Sequence, residues 1–114
     1  MNYNSDFRHD LEIGQVAERE LGEIFEGKKV EVKNDLRALD TGNVYVEYES
    51  RGKASGIATS EAEWYAFKLS DTQIRLIKTK HLKELCRGYV NTERDKKGGD
   101  SNTSKGILLP LTEL

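Results

Sequence analysis

Lys28-Lys29-Val30-Glu31-Val32-Lys33-Asn34-Asp35 alternates apolar and charged residues. A period of two predicts a strand, with Val30 and Val32 on one face and Glu31, Lys33 and Asp35 on the other. Val44-Tyr45-Val46-Glu47-Tyr48-Glu49 repeats the pattern, setting Val44, Val46 and Tyr48 against Tyr45, Glu47 and Glu49. Between them, Thr41-Gly42-Asn43 is a turn signal. The simplest reading is an antiparallel hairpin. A register summing near 78 then sets Glu47 opposite Glu31, and like charges so placed destabilise a ladder unless a cation lies between them. A slip of one residue would send the two acids to opposite faces.

Upstream, Phe7, Leu11, Gly14, Glu18, Leu21 and Phe25 recur at helical spacing, with Ile13, Val16, Ala17 and Ile24 widening the stripe. Ser5 or Asp6 suits the N-cap and Gly27 the C-cap. The Val face of the first strand is expected to pack on this helix. Downstream, Arg51–Gly56 reads as a loop, and Ser60-Glu61-Ala62-Glu63 fits a capping box opening a short helix. Trp64–Leu69 and Gln73–Lys78 read as strands. Thr79 can cap a second helix through Leu82, Leu85 and Cys86 that Gly88 ends. Residues 93–106 are polar, contain three Gly and read as a mobile loop. Ile107–Leu111 then returns as an edge strand that tolerates Pro110. The order predicts a single α/β (α+β) domain over 1–114, a small mixed sheet flanked by helices.

Composition narrows the classes. A chain of 114 residues has room for one modest core. It holds no run of 18 apolar residues and no basic, apolar leader, so neither a membrane span nor a signal peptide is expected. The lone Cys86 is expected to be buried and without chemistry, in a reducing cytoplasm. Net charge is −2, but residues 1–50 carry 6 Lys/Arg against 12 Asp/Glu and residues 51–114 carry 12 against 8. Such an asymmetry suits an acidic pocket rimmed by positive charge, for a divalent metal and a phosphate backbone respectively. A mixed, solvated surface has the same composition.

Three placements resist a structural explanation. Glu18 interrupts the apolar stripe of the first helix, where a carboxylate is costly unless paired or metal-bound. Glu31, Lys33 and Asp35 share a strand face, and Glu47 and Glu49 follow on the next strand. A solvated face has the same pattern, yet acids beside one Lys are also what metal-assisted phosphodiester hydrolysis requires. Carboxylates hold Mg²⁺ or Mn²⁺, the ion activates water and neutralises charge, and the Lys orients or deprotonates that water.

At these residues the sequence resembles the PD-(D/E)xK nuclease superfamily, and within it small phage-type endonucleases. The resemblance spans most of the chain. It rests on the helix bearing Glu18, on Glu31-Val32-Lys33-Asn34-Asp35, on Thr41–Glu47, on Ser55-Gly56-Ile57-Ala58-Thr59 leading to Ala62, Trp64 and Tyr65, and on Gly98-Gly99-Asp100. It implies a restriction-endonuclease-like mixed sheet, divalent-metal dependence and DNA cleavage. The chain departs from the motif, since no Pro-Asp precedes a (D/E)xK at the usual spacing. Either Glu31-Val32-Lys33 is the motif itself and Glu18 supplies the missing acid, or Glu31 or Asp35 is the first-strand acid and Glu47 the second. In the latter case the Lys has moved to position 33, because Glu49 holds its usual place. This second assignment explains Glu47 and the turn length together.

The expectation is therefore a metal-dependent DNA endonuclease, on branched or on phage or host DNA. Lys33, Glu31 and Glu47 are its catalytic residues, and Glu18, Glu31, Asp35 and Glu47 its metal ligands. Arg51, Lys53, Ser55 and Thr59 in one loop, and Arg94, Lys96 and Lys97 in the other, would meet DNA phosphates. Lys78, Lys80, His81, Lys83 and Arg87 form a further basic cluster, while Trp64, Tyr65 and Phe67 read as core. So small a unit needs a homodimer or a partner protein to grip DNA. The rival expectation is a non-catalytic module on the same fold that binds nucleic acid or protein.

Overall fold

The computed structural model describes residues 29–114. The expected first helix, and Glu18 with it, lies outside the described residues. Those residues form two sheets and two helices. The strands are β1 (Val30–Asn34), β2 (Asn43–Ser50), β3 (Lys53–Ala54), β4 (Trp64–Lys68), β5 (Ile74–Lys78), β6 (Asp95–Gly98) and β7 (Ser104–Pro110). The helices are α1 (Ala38–Thr41) and α2 (Thr79–Arg87). One sheet has the order β1-β4-β5 and the other β3-β2-β7-β6. The fold is thus mixed α+β. Among the described residues no helix is long and apolar enough to cross a membrane.

The predicted strands form, but the predicted hairpin between them does not. β1 pairs in parallel with β4, Glu31 beside Tyr65 and Lys33 beside Phe67. β2 pairs antiparallel with β7, Val46 beside Ile107 and Glu47 beside Gly106. Glu31 and Glu47 therefore stand in different sheets and are not ladder neighbours. Alternation dictates which face a residue takes, while the backbone groups that choose a neighbour are alike in every residue. The expected turn residues do other work. Gly42, at φ 77, closes α1 by donating its N–H to Ala38 O.

Three further expectations change. Ser60–Glu63 forms no helix. Ser60 Oγ accepts the Ala62 N–H at 3.2 Å, and the Glu63 N–H goes to Lys29 O at 2.9 Å, joining this segment to the start of β1. The segment read as a loop at 93–106 is largely a β-hairpin, with β6 paired to β7 and a turn at 100–102 between them. Lys96 and Lys97 disguise β6 because it is an edge strand, where charge is tolerated and protective. β7 is not an edge strand but lies between β2 and β6. Pro110 is accommodated because it ends the strand, opposite Asn43.

β4, β5 and α2 follow the sequence closely. Gly88 caps α2, but Thr79 is its first residue rather than its cap, and its N–H is held by Glu63 O at 2.9 Å. α2 turns Leu82 and Cys86 into the core, where they meet Val44, Val46, Ile107 and Leu109 of one sheet and Tyr65, Phe67 and Ile77 of the other. Tyr65 and Phe67 tilt against each other with ring centroids 5.9 Å apart. Full burial of a side chain such as Leu82 stabilises by roughly 1.5–3 kcal/mol.

Candidate functional site

A cleft of about 280 Å³ opens where the two sheets meet, and it is lined by Lys33, Tyr45, Glu47, Gly56, Tyr65 and Ser104 among others. Lys33 comes from β1. In parallel pairing, in-register neighbours share a face, so Lys33 and Glu31 project on the side of Phe67 and Tyr65. The Lys33 ammonium lies 3.3 Å from Glu31 Oε1, and both side chains are about half exposed. Such a pair contributes well under 1 kcal/mol to stability and is easily exchanged for another partner.

Glu47 comes from β2, and several features hold it. The β2–β7 register shifts between Glu47 and Glu49, a bulge that turns the strand locally. Glu49 thereby pairs with Lys105 at 3.7 Å, away from Glu47. Ser55 Oγ donates to Glu47 Oε2 at 3.0 Å. The 3-10 turn Gly56–Ala58 lies so close to β2 that a Cβ on Gly56 would overlap the Glu47 carbonyl oxygen. Gly56 also has φ +53, a left-handed conformation that a side chain disfavours. Asp35, just past β1, accepts the Tyr45 N–H on Oδ2 at 3.0 Å and so ties the first sheet to β2 two residues before Glu47.

Two tyrosines complete the cleft. Tyr45 donates or accepts a 3.1 Å bond with Ser104 Oγ and reaches Lys96 O at 3.4 Å. Its ring lies over Gly98 and Gly106. A Cβ added to either would stand 2.8 or 2.5 Å from Tyr45 Cζ. Tyr65 is almost fully buried, and its hydroxyl finds no hydrogen-bond partner among the described residues. Burial pushes its pKa upward, against a smaller opposing pull from Ser60.

The structure thus brings Lys33 and Glu47 to one cleft, with Glu31 joined to it through Lys33 and Asp35 bound to its β2 wall. The residues expected to meet DNA are distributed differently. Ser55 bonds Glu47. Arg94 donates to Asn43 Oδ1 at 2.7 Å and Leu108 O at 3.0 Å and lies 5.7 Å over the Tyr89 ring, which commits it to holding the hairpin. Arg51, at the β2–β3 turn with φ 51, and Lys53 are exposed, as are Lys96 and Lys97 on β6. Of the α2 cluster, Lys78, Lys80 and Lys83 line a separate cleft of about 370 Å³, and Lys78 Nζ stands 5.8 Å from the Trp64 ring centre.

Sequence reasoning passed over Tyr45, although it shares its strand face with Glu47 two residues on. It read Gly98 only within Gly98-Gly99-Asp100 and Gly106 only as part of a loop, and their place beneath that ring is visible only once β6 and β7 are paired. Among the described residues no group of three or more His, Cys, Asp or Glu side chains is placed to hold a metal. Two carboxylates suffice for Mg²⁺ when water and a substrate phosphate complete the shell. Glu47 offers the cleft the hard carboxylate oxygen this ion takes, while Asp35 accepts the Tyr45 N–H and Glu31 pairs with Lys33. Comparison of the chain with protein-family models, with curated proteins and with solved structures finds no match to any of them.

Proposed function

We propose that this chain is a divalent-metal-dependent DNA endonuclease built on a variant of the PD-(D/E)xK arrangement, with a restriction-endonuclease-like core. What carries the reading is that Lys33 and Glu47, from different sheets, line one cleft. That convergence favours the assignment in which Glu47 is the second-strand acid and the Lys resides on the first strand.

Each residue has a physical role in that reading. Glu47, its carboxylate oriented by Ser55, is the principal ligand for Mg²⁺ or Mn²⁺, with Asp35 and Glu31 as the further acids. The ion supplies an activated water and neutralises charge on the phosphoryl group. The Lys33 ammonium leaves Glu31 for the negative charge of the phosphate and orients the water beside it. Arg51, Lys53, Lys96 and Lys97 contribute positive charge to the DNA backbone. The small size of the unit calls for a second copy or a partner to complete the grip. A non-catalytic binding module is the second reading, favoured by the replaced motif positions and by a net charge of only −2.

Two measurements separate them. Calorimetric titration with Mn²⁺ is expected to show binding that Glu47→Gln abolishes. A panel of linear, nicked, single-stranded and four-way DNA is expected to show metal-dependent cleavage. Lys33→Ala should retain the wild-type melting temperature within about 2 °C, since its ion pair is exposed. It should lose on the order of 10² in cleavage rate or more. Undiminished cleavage by Lys33→Ala would reject its role, and neither metal binding nor cleavage in the wild type would favour the module.

A further inference from the structure

We infer that Tyr45 is a stacking platform for an unpaired nucleobase, so that the cleft engages single-stranded DNA or the unpaired part of a branched substrate. The inference rests on the nuclease reading for the identity of the ligand. The ring's own geometry carries the rest. Tyr45 lies across β6 and β7 on a floor made of Gly98 and Gly106, where no side chain other than hydrogen fits beneath it. Its hydroxyl is fixed by Ser104 Oγ and Lys96 O, so the ring is held at one edge as well as underneath. Glycine within strands weakens them by roughly 0.5–1 kcal/mol each relative to Ala. Two such positions under one ring let it lie close against the strands at the cleft wall.

The surroundings fit a nucleotide. Tyr45 is half-buried and shares the cleft wall with Lys33 and Glu47, so a base on the ring has an ammonium within the same cavity for its phosphate. At about 280 Å³ the cavity takes one base and its sugar, not a base pair. A base inside a duplex is already stacked on both sides, so only an unpaired or extruded base offers a face to the ring. The substrate class is therefore set by stacking, independently of sequence.

The test uses fluorescently labelled dA10, rA10 and a dA10·dT10 duplex, with anisotropy read in EDTA so that no cleavage occurs. Wild type and Tyr45→Phe are expected to bind dA10 equally and more tightly than the duplex. Tyr45→Leu is expected to lose roughly 10-fold for dA10 and little for the duplex. A wild-type measurement guards against a misfolded variant: added dAMP should shift the Tyr45 ring proton resonances upfield. Equal dA10 binding by wild type and Tyr45→Leu, no dA10 binding at all, or no ring shift would overturn the platform. Much tighter binding of rA10 would overturn the assignment to DNA. Because the assay needs no metal, a failure of the nuclease reading leaves this result standing on its own measurement.

Discussion

Replacing Gly56 by alanine perturbs the turn that braces Glu47, and Gly52 provides its control. Both glycines occupy the left-handed region, at φ +53 and φ +78. A Cβ there costs roughly 1–2 kcal/mol, of which about 0.4–1 is offset because alanine also restricts the unfolded chain. Gly52→Ala meets nothing within 4 Å among the described residues and should show only this net effect, about 0–1.5 kcal/mol of destabilisation. Gly56→Ala adds an overlap with the Glu47 carbonyl oxygen and stands 2.9 Å from its carbon. Backbone cannot rotate aside as a side chain would, so overpacking adds about 1–3 kcal/mol. At roughly 4 °C per kcal/mol for a domain of this length, Gly56→Ala should melt about 4–12 °C below Gly52→Ala. Thermal unfolding followed by circular dichroism reads both. Melting temperatures within 2 °C of each other would show that the turn does not press on β2, and the account of how Glu47 is held would fail.

Tyr48 donates to Asp95 Oδ1 at 2.7 Å, and that bond, aided by burial, pushes its pKa up to about 12. The neutral phenol is the stabilised form, so its contribution is complete below pH 10, the unfolded value, and is lost as pH rises toward 12. Urea melts of Tyr48→Phe and wild type should therefore differ most at neutral pH and converge above pH 11; a constant difference would refute the linkage. Burial, with Glu113 nearby, pushes the Cys86 thiol up to about 12. Ellman's reagent at pH 8 should leave the folded protein unmodified and react promptly in denaturant, whereas rapid labelling of the native state would contradict the packing of α2.

Much of the local structure was legible because local forces decide it. Trp64–Lys68 is aromatic and Ile74–Lys78 alternates in part, and both form strands. Leu82, Leu85 and Cys86 follow helical spacing up to Gly88, and that helix forms. The neighbour relations were not legible. Val30–Asn34 and Val44–Glu49 look like the arms of a hairpin, yet each takes its partner from much later in the chain. The site shows the same division. Glu31 and Lys33 on one face follow from their spacing alone. That Lys33 and Glu47 line one cleft depends on how two sheets close on each other. Ser55 and Gly56 read as a phosphate-binding loop, since nothing in the sequence reveals that the turn folds back onto its preceding strand. Arg94 looked free for DNA because its acceptors, Asn43 Oδ1 and Leu108 O, are distant in sequence or belong to the backbone.

The strands of the two sheets are interleaved along the chain, with β1 in one, β2 and β3 in the other, β4 and β5 back in the first, and β6 and β7 in the second. Severing the chain near Gly88, after α2, would leave β2 with a bare edge in the first piece and its matching strand in the second. Seven register pairs join those strands, beside a core of Val44, Val46, Ile107 and Leu109. The molecule therefore has the makings of a split reporter. Neither half carries a complete cleft, since Lys33 and Glu47 fall in one and Ser104 in the other, and reassembly through a single central ladder would rebuild it.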